Sequence, residues 1–147
     1  MARGKWANGL YEMANPEKYA GIKKPRYRSG WEHAFMRFCD NHPSVINWAS
    51  ESIQIPYRNP LTGKQSIYVP DFLIVYQDKG GKKRAELIEV KPESQTRLGA
   101  KTSKHDKLSI AVNHAKWEAA AKWCKLKGLQ FRIVTENDIF HNGKKRR

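Results

Sequence analysis

Two apolar runs, Phe72-Leu73-Ile74-Val75-Tyr76 and Leu87-Ile88-Glu89-Val90-Lys91, enclose the stretch Asp78-Lys79-Gly80-Gly81-Lys82. Their β-branched and aromatic side chains read as strands, and the glycine pair between them reads as a hairpin turn. Folding the chain back about Gly80 sets position 71 opposite position 89. Directly opposed residues on an antiparallel pair share a face, with Cβ atoms about 4.5–5.5 Å apart. Asp71, which follows Pro70, then confronts Glu89. Lys91 projects from the same face, two residues beyond Glu89. Two facing carboxylates repel each other unless positive charge lies between them, and a divalent cation with oxygen ligands meets that need. With this register, the chain builds a metal site with an ammonium beside it.

Working outward, Ser29-Gly30-Trp31-Glu32 is a capping box that starts a helix running to about Asp40. Its apolar stripe is Trp31, Ala34, Phe35 and Phe38, widened on one side by Met36 and Cys39. Asn41-His42-Pro43 closes it. Ile53-Gln54-Ile55-Pro56-Tyr57 alternates as a strand does. After the turn Asn59-Pro60-Leu61-Thr62-Gly63, a second strand begins at Ser66 and runs through Asp71 toward Tyr76. The third, Glu86–Lys91, ends at Pro92. The polar stretch from Glu93 to Lys107 carries weak structural signals. A helix from about Leu108 to Lys127 is marked by Ala111, Val112, Ala115, Ala119 and Trp123, with Gly128 placed to end it. Phe131-Arg132-Ile133-Val134 is a last strand, so Glu86 to Val134 forms a strand–helix–strand crossover to a parallel neighbour. Thr135-Glu136-Asn137-Asp138 caps a short final helix. The order is helix, three strands, helix, strand.

The chain has 147 residues and is most simply one domain with a core of its own. Residues 1–28 read as a basic, extended N-terminal arm, 29–140 as the folded domain and 141–147 as a basic C-terminal tail. A formal charge of +14 suits a polyanionic partner, first of all DNA. Five tryptophans argue against a disordered basic protein. Cys39 and Cys124 stand apart, with no Cys/His cluster for structural zinc, and read as buried free thiols. Met1-Ala2-Arg3-Gly4-Lys5 has no apolar stretch behind it, and no apolar run approaches the ~20 residues that span a bilayer. The expected partners therefore include no membrane.

The element order, with Pro70-Asp71 on one strand and Glu89-Val90-Lys91 on the next, resembles the PD-(D/E)xK nuclease superfamily. The resemblance implies an α/β (α+β) fold, a restriction-endonuclease-like αβββαβ core with a mixed central sheet flanked by helices. It also implies that a first-helix glutamate, here Glu32, joins the metal site. Further stretches resemble the head completion nucleases of large tailed bacteriophages, which are related to the transposon-end endonucleases. They are Tyr27-Arg28-Ser29-Gly30-Trp31-Glu32, Trp48-Ala49-Ser50-Glu51, Ile55-Pro56-Tyr57, Asp71-Phe72, Ile88-Glu89-Val90-Lys91-Pro92 and Lys116-Trp117-Glu118-Ala119-Ala120. That likeness implies an endonuclease that processes DNA late in virion assembly, with portal or neck proteins as partners. It would work in the host cytoplasm or as part of the virion.

The residue types fit phosphodiester hydrolysis, which needs a nucleophilic water and relief of charge on the phosphate. Asp71 and Glu89 would hold Mg²⁺, or Mn²⁺ in its place, with the Val90 carbonyl as a backbone ligand; hard oxygen donors favour these ions over zinc. Lys91 would orient or deprotonate the water, or face the developing charge. Glu32 would complete the shell. Lys101, Lys104, Lys107 and Lys116, with His105, Asn113 and His114 among them, are candidate phosphate contacts.

Each residue also has a bland reading. Glu32 is the natural partner in its capping box, Asp71 a strand-entry aspartate, and Glu89 with Lys91 an exposed cross-strand ion pair. Glu51 reads as a strand-start glutamate ahead of a metal ligand, and Glu86 as a solvated side chain. Trp117 and Trp123 read as core rather than as base-stacking platforms. At the level of function, a non-catalytic DNA-binding virion assembly protein and a junction-resolving or recombination endonuclease remain beside the head-completion nuclease.

Overall fold

A computed structural model describes residues 8–96 and 103–138. Its centre is a four-stranded mixed sheet in the order β3 (Val45–Ser50), β6 (Phe72–Gln77), β7 (Lys83–Val90), β8 (Gln130–Val134). The first three are antiparallel neighbours, and β8 lies parallel to β7. Phe72 pairs with Ile88 and Gln77 with Lys83, so the register runs on to set position 71 against position 89, as the turn about Gly80 requires. Asp78 holds that turn by accepting the N–H groups of Gly80 and Lys82.

Alternation along the strands sorts the core into two layers. Phe72, Ile74, Ile88 and Val90 face α1 (Gly30–Asn41) and pack with Phe35, Met36, Cys39 and Trp48. Leu73, Leu87, Phe131 and Ile133 face the other way. They meet Trp117, Ala120 and Cys124 of α2 (Lys104–Lys127) and a separate hairpin, β4 (Ile55–Arg58) with β5 (Gln65–Tyr68). Each buried Leu, Ile or Phe contributes about 1.5–3 kcal/mol. Both cysteines are buried and free, and Trp117 and Trp123 belong to the core. Among the described residues no helix is long and apolar enough to cross a membrane.

The fold is thus the expected mixed sheet between helices, but four local readings change. The first strand of the sheet is β3; the alternating run Ile53–Tyr57 belongs instead to the outlying hairpin. A register shift between Val45 and Asn47 breaks the period-two pattern and hid this strand. The run from Ser66 to Tyr76 is two strands in different sheets. Pro70 is fully buried between them and has no N–H to continue a ladder. On α1 the buried residues are Phe35, Met36, Cys39 and Asp40, while Phe38 is 40% exposed, so the inward face is turned toward the Glu32 side. α2 begins at Lys104, capped by Ser103 Oγ accepting the Asp106 N–H; its first six residues are all exposed and carry no apolar period.

The segment before α1, read as an arm, lies along the body over residues 8–28. β1 (Gly9–Leu10) pairs with β2 (Arg26–Tyr27), and Tyr19 bridges to Trp48. The anchor is Asp40, which is fully buried. Its carboxylate accepts the Tyr11 hydroxyl at 2.7 Å and the N–H groups of Ala14 and Asn15 at 2.7 and 2.9 Å. Lys18 adds bonds to the Asp40 and His42 carbonyls. Residues 1–7 and the tail 141–147 lie outside the described residues.

Candidate active site

The start of β6, the ends of β3, β7 and β8, and the N-terminus of α1 meet at one edge of the sheet. Lys91 N–H donates to the Val134 carbonyl, so Val90 turns its own N–H and C=O toward β6. Its register partner there is Pro70. Asp71 Oδ2 accepts the Val90 N–H at 2.8 Å. Proline has no N–H with which to continue the ladder.

Glu89 is 7% exposed. Its Oε1 accepts the Tyr68 hydroxyl at 2.7 Å, and its Oε2 lies 3.8 Å from Lys91 Nζ. Lys116, on α2, places Nζ 5.8 Å from the centre of the Tyr68 ring and 5.9 Å from that of Tyr57, and its charge also reaches Glu89. Glu32 does cap α1: its N–H donates to Ser29 Oγ at 3.1 Å, and its Oε1 accepts the Arg28 N–H at 2.9 Å. It is also half-buried and feels the charges of Glu51 and Lys91. Glu51 donates its N–H to the Asp71 carbonyl at 2.9 Å, and its carboxylate is held by Arg28 and, at 3.6 Å, by Lys23. Its φ of 50° places it in the left-handed region, a strain of about 1–2 kcal/mol at the rim of the site.

The electrostatics follow from this crowding. Burial, then the charges of Glu89 and Glu32, push the Asp71 carboxyl well above the ordinary carboxylate range. Burial raises Glu89 as well, against the opposing pull of the Tyr68 hydrogen bond, Lys91 and Lys116. Glu32 is raised by burial despite Arg28. Burial and the Glu89 carboxylate hold the Tyr68 phenol protonated far beyond its usual range. These acids have more negative charge than their partners offset.

Among the described residues no group of three or more His, Cys, Asp and Glu side chains is arranged to hold a metal ion. The donor set that remains, the two opposed carboxylates of Asp71 and Glu89, has the hard-oxygen chemistry of Mg²⁺. That ion commonly takes one or two carboxylates and fills its shell with water and substrate phosphate. The residues therefore fit a divalent cation.

The sequence also named Glu86, Lys101, Lys104 and Lys107. Glu86 does sit on the opposite face, but it is buried rather than solvated: it accepts the Tyr76 hydroxyl at 2.7 Å and Arg132 Nε at 2.9 Å. Lys104 and Lys107 are exposed on the first turns of α2, and Lys101 falls outside the described residues. His105 pairs with Asp106 and His114 with the Thr96 carbonyl. Tyr68 was missed, because an aromatic in an alternating run reads as core until the hairpin is seen lying over the acids.

Comparison with known proteins agrees with this geometry. Residues 42–136 match the family described as TnsA-like endonuclease N terminal, and the chain belongs to that family of endonucleases. It is also 33% identical over 143 residues to the head completion nuclease of Enterobacteria phage T4, a match covering 90% of this chain and 93% of that protein.

Proposed function

We propose that the chain is a metal-dependent endonuclease that hydrolyses phosphodiester bonds in DNA during head completion of a tailed bacteriophage. The observation that carries this reading is the facing of Asp71 and Glu89 across β6 and β7, with Lys91 beside Glu89. The phage setting rests on the likeness to the T4 protein. By the same likeness, portal or neck proteins are its partners, and it acts in the host cytoplasm or within the virion.

Asp71, Glu89 and the Val90 carbonyl would hold Mg²⁺, or Mn²⁺ in its place, and Glu32 would lend its charge from the end of α1. The bound ion supplies a more acidic water and neutralises charge on the scissile phosphate. Lys91 is 28% exposed, so its ammonium is open to solvent on one side while Glu89 holds it on the other. There the ammonium would orient the attacking water or face the charge that develops on the phosphate. The Asp71–Val90 hydrogen bond ties the two strand ends together. Lys104, Lys107 and Lys116 of α2 would offer positive charge to the DNA backbone, and Lys101 belongs with them in sequence.

The test is nicking and linearisation of supercoiled plasmid with Mg²⁺, with EDTA, and by Lys91→Ala with Mg²⁺. Cleavage by the wild type alone, and only with metal, is expected. Plasmid that is retarded but uncut in every lane, across metals and salt, would replace the nuclease by a DNA-binding assembly factor.

A further inference from the structure

Tyr68 stands at the end of β5, three residues before Asp71, with buried Pro70 between them. Its ring is 4% exposed and packs with Leu87 and Trp117, under the ammonium of Lys116. A phenol has one proton to donate, and Tyr68 gives it to Glu89 Oε1 at 2.7 Å. A carboxylate with one oxygen fixed has its plane and its remaining lone pairs fixed too. Glu89 therefore keeps only Oε2 for the side where Lys91 lies. A hairpin outside the central sheet thus sets the orientation of an acid inside it.

We propose that Tyr68 is a positioning residue, whose hydroxyl orients Glu89 for a divalent cation. The inference rests on the reading of Asp71 and Glu89 as metal ligands. It assigns the β4–β5 hairpin a task that packing alone would not give it. Groups that orient a ligand from behind typically change metal affinity or activity by about 10–100-fold when removed. A tyrosine that only fills space would be replaced by phenylalanine with no change in either.

The experiment is a Mn²⁺ titration of Tyr68→Phe against wild type, without DNA, read by electron paramagnetic resonance. Alongside it, the melting temperature of each protein is measured in EDTA and in Mn²⁺. Phenylalanine keeps the ring and its packing, and each protein serves as its own control for folding, since the metal-induced shift is what counts. The expected result is Mn²⁺ binding weakened about tenfold or more, and a smaller metal-induced shift, for Tyr68→Phe. Cleavage should then be restored toward the wild-type rate by raising Mn²⁺. Equal affinity and an equal shift in the two proteins would overturn the role of Tyr68 and leave the metal site standing. Absence of Mn²⁺ binding by the wild type, with Asp71→Ala still cutting DNA, would overturn the metal site itself and this inference with it.

Discussion

Asp40 and Asp71 are both acids drawn into the body of the protein, and they meet opposite fates. Desolvation alone would raise Asp40, but the Tyr11 hydroxyl and the N–H groups of Ala14 and Asn15 outweigh it and hold the carboxyl below its ordinary value. Asp71 receives one N–H, from Val90, while Glu89 and Glu32 crowd it, and its carboxyl is held well above. At Asp40 every hydrogen bond serves to pin the N-terminal segment. At Asp71 the arrangement leaves negative charge in excess, which a protein retains at a cost in stability when the charge has a chemical task. The contrast separates an acid satisfied by its hydrogen bonds from one left in electrostatic excess.

The largest effect expected from breaking this contrast is at Asp71. Asp71→Asn keeps an oxygen for the Val90 N–H and removes the charge, so metal-dependent plasmid cleavage should fall to background. In EDTA at about pH 8, above the ordinary carboxylate range, the same variant should melt higher than wild type, by roughly 2–4 °C for each kcal/mol of repulsion relieved. The pH dependence sharpens the point. An acid whose folded pKa is raised binds a proton in the folded chain that the unfolded chain has already released. Stability of the metal-free wild type therefore falls as pH rises through the folded pKa values of Asp71, Glu89 and Glu32. Asp71→Asn should flatten that decline in a series of melting curves.

Next comes Asp40→Ala, which strands three donors of the N-terminal segment and should cost about 2–4 kcal/mol in urea unfolding. Asp40 has the opposite sign: its stabilisation is complete above the unfolded carboxyl pKa and is lost as pH falls through the lowered folded value. The surviving folded Asp40→Ala protein should still cut plasmid in a metal-dependent way, because nothing at the β6–β7 edge has changed. The smallest effect belongs to the exposed start of α2. Lys104→Ala with Lys107→Ala should leave stability within about 0.5 kcal/mol. It should weaken DNA binding in gel-shift titrations and lower the salt slope by about one for each phosphate no longer neutralised.

How far the sequence could be read follows the same division. The opposition of Asp71 and Glu89 was legible because a turn centred on Gly80 and a period of two fix the register locally. The parallel strand after α2 was legible because Gly128 and the apolar run Phe131–Val134 bound it. The irregularity near Ile46 was not, and with it went β3, the first strand of the sheet. The break at Pro70 was visible as a residue but not as a change of sheet, and so nothing marked Tyr68 as a partner of the acids. The anchoring of residues 8–28 hangs on Asp40, whose partners lie 25 to 29 residues away in the chain. No local pattern announces a bond of that span.

The pairing of β7 with β8 has a consequence for how the molecule comes into being. Glu89, Val90 and Lys91 sit between a strand made before them and one made some forty residues later, and the Lys91 N–H waits for the Val134 carbonyl. A ribosome must release residue 134 before that edge can close. A nascent chain that stops short of β8 therefore carries every acid of the candidate site but lacks the strand that closes the edge beside Glu89, Val90 and Lys91.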